Sequence, residues 1–219
     1  MLKFYHAPWS RSFSVLWLLE ELGVPYEMEL VDIRKGAPEE YRRIQPSKKV
    51  PAIVHDGTVV TERAAITLYL GENFNGKGLA PKPGDPDRAT YLMMLVYHDS
   101  VFDPVICAKV RGLTYASNDY PFGTFDDMVA NLERILTQRP YIAGDRFTLA
   151  DIIWGTGIDF TANVLKALPL KPVFSAYLDR VTSRPTYQAV KEKDMELARQ
   201  DRSLQEMLAK ASSTGGGNG

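Results

Sequence analysis

Val50-Pro51-Ala52-Ile53-Val54-His55-Asp56-Gly57-Thr58-Val59-Val60-Thr61-Glu62-Arg63-Ala64-Ala65-Ile66 decides the fold of this chain. Val, Ile and Thr flank Asp56-Gly57, a two-residue hairpin signal, so two short antiparallel strands are expected, followed at once by a helix. Pro51 is tolerated because the first residue of a strand need not donate to the ladder. Thr61 or Glu62 caps the helix that begins there, its apolar spacing carried by Ile66, Leu68, Tyr69 and Leu70. Two devices then share one small surface. If the Val50-Pro51 bond is cis, the N–H and C=O of Val50 turn outward, where an extended peptide pairs as an added strand does. The neighbouring helix N-terminus attracts a carboxylate. Together they suit a short peptide with an acidic end.

Working outward toward the N-terminus, Leu2 to His6 reads as a strand broken by Ala7-Pro8-Trp9. Ser10 is placed to cap a helix that runs to Leu22 and stops at Gly23, and Tyr26 to Val31 forms a second strand. A crossover helix makes these two strands parallel, so the later hairpin extends their sheet in antiparallel fashion. The order β-α-β, β-β-α is that of a thioredoxin-like α/β domain. Residues 32 to 48 are charged, with a short helix expected over Pro38 to Ile44.

Toward the C-terminus, the Gly- and Pro-rich run from Asn75 to Pro86 reads as a linker. Everything beyond has helical spacing: about Pro86 to Thr114 with a kink at Pro104, Phe122 to Gln138, Thr148 to Lys166, Val173 to Ser183, and Pro185 to about Lys210. The expected division is a thioredoxin-like domain over 1–80, an all-helical domain over 86–210 and a disordered tail over 211–219. Phe147-Thr148-Leu149-Ala150-Asp151 reads as a staple and capping box, a folding signal and not a chemical one.

Lys49-Val50-Pro51-Ala52-Ile53, then Thr61-Glu62 and Ala65-Ile66 before Leu70, resembles the glutathione-binding half of bacterial or fungal-like glutathione S-transferases. The resemblance extends to about residue 200 and includes the Thr148-Asp151 capping motif. It implies a cis Pro51, Val50 pairing with the cysteinyl backbone of glutathione, Lys49 at the glycine carboxylate, and Glu62 with Arg63 at the γ-glutamyl end. Arg63 departs from the serine usual in the family, although a guanidinium also holds a carboxylate, even bidentately.

Composition narrows the chemistry. A chain of 219 residues, 45% hydrophobic and 24% charged with net charge −1, is ordinary globular material with no field for nucleic acid or anionic membrane. No transmembrane run or leader pattern is read, so a cytoplasmic protein is expected. The single cysteine, Cys107, excludes an intrachain disulfide, a Cys-x-x-Cys pair and a multi-cysteine zinc site. It is expected as a small buried hydrophobe. Any reacting thiol therefore arrives with the ligand. His6, His55 and His98 are scattered, and no metal or further cofactor is expected, glutathione serving as co-substrate.

A free thiol ionises near about 8.5 and is a poor nucleophile until a donor, cation or helix terminus lowers that value. The donor belongs in the loop after the first strand, Tyr5 to Ser12. Ser10 resembles the residue of serine-type members, and Tyr5 stands where tyrosine-type members carry their hydroxyl. Arg11 offers a charge; Ser12 is disfavoured because helical rotation carries it away from Ser10. Both serine and tyrosine readings stay open. The resemblance implies a homodimer whose second, hydrophobic electrophile lies between this loop, at Trp9, and the helix bearing Tyr97. The rival reading is a non-catalytic glutathione-binding or interaction module of the same fold, and glutathione-dependent peroxide reduction or dehalogenation needs the same activated thiol.

Overall fold

In the computed structural model, the chain is described from residue 1 to 214, with side chains to residue 210. Two compact units divide it: Met1–Ile66 joined by the chain from Pro185 on, and Thr67–Arg184.

The first unit is built on four strands, β1 (Leu2–His6), β2 (Glu27–Leu30), β3 (Ala52–His55) and β4 (Thr58–Thr61), in the order β2-β1-β3-β4. β1 runs parallel to β2 and antiparallel to β3, with Phe4 opposite both Met28 and Ile53. β3 and β4 form the expected hairpin, and Asp56 and Gly57 take φ of 48° and 84°, the left-handed pair that a tight turn between twisted strands requires. This is the thioredoxin-like pattern. The helix α1 (Phe13–Leu22) buries Val15, Leu16, Leu18 and Leu19 and ends at Gly23, whose φ of 72° lets its N–H reach back to Glu20 and Leu19.

Two helices from the far end of the sequence complete this unit. α8 (Pro185–Gln200) sets Tyr187 edge-on to Trp17, ring centres 4.9 Å apart, and Lys193 reaches Glu20 and the Tyr26 hydroxyl at 2.8 and 2.9 Å. α9 (Arg202–Thr214) follows a break at Asp201, where a single helix was expected. The break has a local cause. The Asp201 carboxylate accepts the Leu204 N–H at 2.9 Å, as a capping residue does, and pairs with Arg34 at 3.1 Å. Residues 211–214 are helical rather than disordered, and 215–219 lie outside the described residues.

The second unit is all helix after α2 (Arg63–Asn73) enters it: α3 (Arg88–Tyr97), α4 (Asp103–Val110), α5 (Phe125–Gln138), α6 (Leu149–Asp159) and α7 (Pro172–Thr182). The composition-based linker is part of this unit, because Asn75 bridges the main chain of Ala80 in both directions and Leu149 donates to the Leu79 carbonyl. The expected kink at Pro104 is a π-helical turn over His98–Phe102 just ahead of it. Proline has no N–H to give, which loosens the preceding turn. Cys107 is exposed, not buried: Phe102 at the end of the π turn and Val105 and Ile106 on α4 form a buried i, i+3, i+4 stripe, and Cys107 lies one step of rotation beyond it.

Thr148 and Asp151 form the expected capping box, the Thr148 N–H donating to Asp151 Oδ2 at 2.8 Å. Asp151 Oδ1 also accepts the Ile142 N–H at 2.8 Å and the Tyr177 hydroxyl at 2.9 Å, all in a buried setting. Removing that carboxylate orphans three buried donors. Asp151→Ala is expected to lower the free energy of unfolding by about 3 kcal/mol in a urea titration. A loss under about 1 kcal/mol contradicts this account of the box.

Candidate functional site

The loop Ala7 to Ser12 and the stretch Gln45 to Arg63 both belong to the first unit. Helix α1 starts only at Phe13, two residues later than expected for a Ser10 cap: Ser10 Oγ accepts the Ser12 N–H at 3.1 Å within the preceding turn. Because residues 10 to 12 are not helical, the rotation expected to separate the two serines does not apply. Their hydroxyl oxygens are 2.7 Å apart. Ser10, half-buried, also donates to the Ala7 carbonyl at 2.7 Å, while Ser12 is fully buried and accepts the Ala7 N–H at 3.1 Å.

Behind the serines stands a buried polar chain that scattered histidines did not foretell. Ser12 Oγ lies 2.8 Å from His6 Nδ1, and His6 Nε2 lies 2.9 Å from Asp194 Oδ1 on α8. That second contact is of ion-pair length but lies off the line of a hydrogen bond. The other Asp194 oxygen accepts the N–H of Trp9 at 3.1 Å. Trp9 takes φ of 54°, a conformation costly for a bulky side chain, so this bond holds a strained turn. Arg34 supports the same turn by donating to the Pro8 carbonyl at 2.6 Å.

Tyr5 alternates with His6 along β1, so the two side chains leave opposite faces of the sheet. Tyr5 is buried in a cluster with Ala7, Val31, Ala37, Tyr41, Val50 and Ala52, and burial pushes its hydroxyl pKa up. Arg11 is exposed on the loop. Trp9 is 48% exposed, and beside it an apolar hollow of about 100 Å³ is lined by Met195, Ala198, Leu204 and Leu208. Tyr97 belongs to the second unit, where its ring stacks on Trp154 with centres 6.1 Å apart.

In the hairpin stretch the Val50–Pro51 bond is cis, and Val50 precedes the β3 ladder, so its N–H and C=O take no part in the sheet's pairing. Ala7 and Val50 share one apolar cluster, which ties the serine loop to this backbone. Lys48 pairs with Glu39 at 3.2 Å, whereas Lys49 is exposed and its carbonyl accepts the Tyr41 hydroxyl at 2.9 Å. Glu62 is exposed at the start of α2 with φ of 65°, and Arg63 beside it is buried. Sequence reasoning missed Gln45, a buried side chain that donates to Glu62 Oε1 at 3.3 Å and accepts the Ser47 N–H at 2.6 Å. His98, Asp99 and Asp103, on the π turn and α4, bring ligand-type atoms within 4.8 Å of one another in the second unit, a grouping that reading the histidines singly overlooked.

Residues 8–73 match the glutathione S-transferase N-terminal domain and residues 116–194 the C-terminal domain. Glutathione S-transferase 3 of Schizosaccharomyces pombe is 30% identical over 173 residues, spanning 69% of this chain and 70% of that protein. The chain belongs to the glutathione S-transferase family. Another relative, the disulfide-bond oxidoreductase YfcG of Escherichia coli, is 27% identical over 84% of this chain and 92% of its own. Among solved structures, a sphingomonad glutathione S-transferase complexed with glutathione is 27% identical, with a TM-score of 0.72 over 88% of this chain and 98% of that one. Among the described residues of this family member, no helix is long and apolar enough to cross a membrane.

The left-handed backbone at Glu62 costs a β-carbon residue about 1 kcal/mol, and asparagine tolerates that region best after glycine. Glu62→Asn is therefore expected to unfold in urea with a free energy equal to the wild type or higher by up to about 1 kcal/mol. A Glu62→Asn variant less stable than the wild type contradicts a strained Glu62.

Proposed function

We propose that this protein is a glutathione transferase in which Ser10 lowers the pKa of the glutathione thiol. The observation that carries the reading is the placement of the Ser10 hydroxyl: half-buried in the β1–α1 loop, 2.7 Å from the Ala7 carbonyl, on a residue whose side chain packs in the same cluster as Val50. On this reading the N–H and C=O of Val50 pair with the cysteinyl unit, Lys49 meets the glycine carboxylate, and Glu62 with Arg63 and Gln45 holds the γ-glutamyl end. The ligand's sulfur then faces Ser10, where a hydrogen bond to the thiolate stabilises the charged form. Tyr5 is the weaker donor candidate, since its ring is committed to the cluster under β1. Arg11 adds positive potential at the loop.

The second substrate is proposed to be a small hydrophobic electrophile, seated against Trp9 and the apolar hollow beside it. Family membership supports a homodimeric, cytoplasmic protein with a detoxifying role and no cofactor besides glutathione. Holding thiolate and electrophile together supplies most of the rate enhancement. A second reading, glutathione-dependent reduction, is supported by the likeness to YfcG. In this chain the first unit carries no cysteine, Cys107 being the single one, so the reacting thiol at the Ser10 loop comes from glutathione.

Glutathione titrated into the wild type is expected to show thiolate absorbance with a midpoint well below about 8.5, and Ser10→Ala is expected to return that midpoint to about the free value. Loss of the shift in Tyr5→Phe instead assigns the donor to Tyr5. Binding without any shift points to the non-catalytic module, and no binding removes the glutathione reading.

A further inference from the structure

We propose that His6 and Asp194 are positioning residues that keep the Ser12 proton pointed inward and so leave the Ser10 hydroxyl to serve the ligand sulfur; this rests on the thiol-activating reading above. The argument is an inventory of protons. Two hydroxyls, Ser10 and Ser12, lie 2.7 Å apart and both reach the Ala7 carbonyl, at 2.7 and 3.1 Å. Each has one proton to give. If both compete for that carbonyl and for each other, the direction of the Ser10 proton is undecided.

His6 removes the competition. Its ring is fully buried, and apart from Asp194 Oδ1 at 2.9 Å its Nε2 meets no partner. The carboxylate charge at that distance, although off the hydrogen-bond line, favours the imidazole proton on Nε2 over Nδ1, which leaves Nδ1 as an acceptor. The Ser12 hydroxyl, 2.8 Å away, then donates to Nδ1. Its oxygen is left to accept the Ala7 N–H and the Ser10 hydroxyl. Ser10 alone keeps a proton that can swing from protein to ligand, and Ser10 is the serine with access to solvent.

Asp194 acts twice. Its second oxygen holds the Trp9 N–H and with it the left-handed turn that sets the direction of Ser10. A residue on α8, far along the chain, thus fixes both the proton pattern and the backbone of the loop between β1 and α1. Arg34, from the segment after β2, reaches this loop and is engaged by the Pro8 carbonyl and Asp201, while Arg11 lies exposed on the loop itself.

The variant Asp194→Asn keeps the shape and the acceptor for Trp9 but presents an amide to Nε2. The imidazole tautomer reverses, Nδ1 becomes a donor, and the Ser12 proton turns toward Ala7 and Ser10. His6→Leu removes the acceptor altogether, whereas His6→Asn restores one near the Nδ1 position. The test titrates thiolate absorbance of bound glutathione in these three full-length variants and, separately, measures the affinity for S-methylglutathione, which has no thiol proton. Expected are a rise of about one unit in the bound thiol pKa, a tenfold loss of thiolate at neutral pH, for Asp194→Asn and His6→Leu. His6→Asn is expected to recover most of the shift, and S-methylglutathione affinity to stay within about threefold throughout. Where Asp194→Asn fails to fold by circular dichroism, the difference between His6→Leu and His6→Asn decides. An unshifted thiol in folded Asp194→Asn or His6→Leu overturns the positioning role while leaving Ser10 activation standing. A wild type that does not bind glutathione overturns the functional reading itself.

Discussion

The first unit of this protein depends on how the buried Ser12 hydroxyl is satisfied. It sits where β1 ends and α1 begins, in contact with the N–H and C=O of Ala7, the Ser10 hydroxyl and the His6 ring. A polar group without water must find partners in the protein, and each partner found here fixes a neighbour. Ala7 is drawn into the apolar cluster with Val50, Ser10 is turned back across the loop, and His6 is left facing α8. The delayed start of α1 goes with this, because the side-chain bonds of Ser10 and Ser12 are spent on the turn and it is the Ser12 carbonyl that accepts the first helical N–H groups, from Val15 and Leu16.

The closing helices answer the same need from the other side. Asp194 meets His6 and Trp9, Asp201 meets Arg34, and Tyr187 covers Trp17. These contacts join segments more than 150 residues apart in sequence, and they explain why the chain from Pro185 on groups with the sheet and not with the helices that precede it.

Much of the fold was legible beforehand because its signals are local. Asp56-Gly57 between β-branched runs, Gly23 after a leucine-rich stretch and Thr148 with Asp151 each state their structure within a few residues, and each appears as expected. The site was legible only in its local part. Val50-Pro51 and Glu62 announce themselves by type and spacing, while Gln45 and Asp194 carry no local mark and acquire their place through long-range packing. Ser12 departs from expectation for a physical reason: helical rotation separates side chains only within a helix, and α1 begins after Ser12. Cys107 departs from expectation because its helix buries a narrow stripe that a count of apolar residues does not locate.

The most direct test of the account is a crystal structure of the protein with glutathione. The account predicts the sulfur within hydrogen-bonding reach of Ser10 Oγ, the cysteinyl main chain paired with Val50, and Ser12 still in contact with His6. A sulfur at the Tyr5 hydroxyl, or glutathione bound away from Val50, contradicts it.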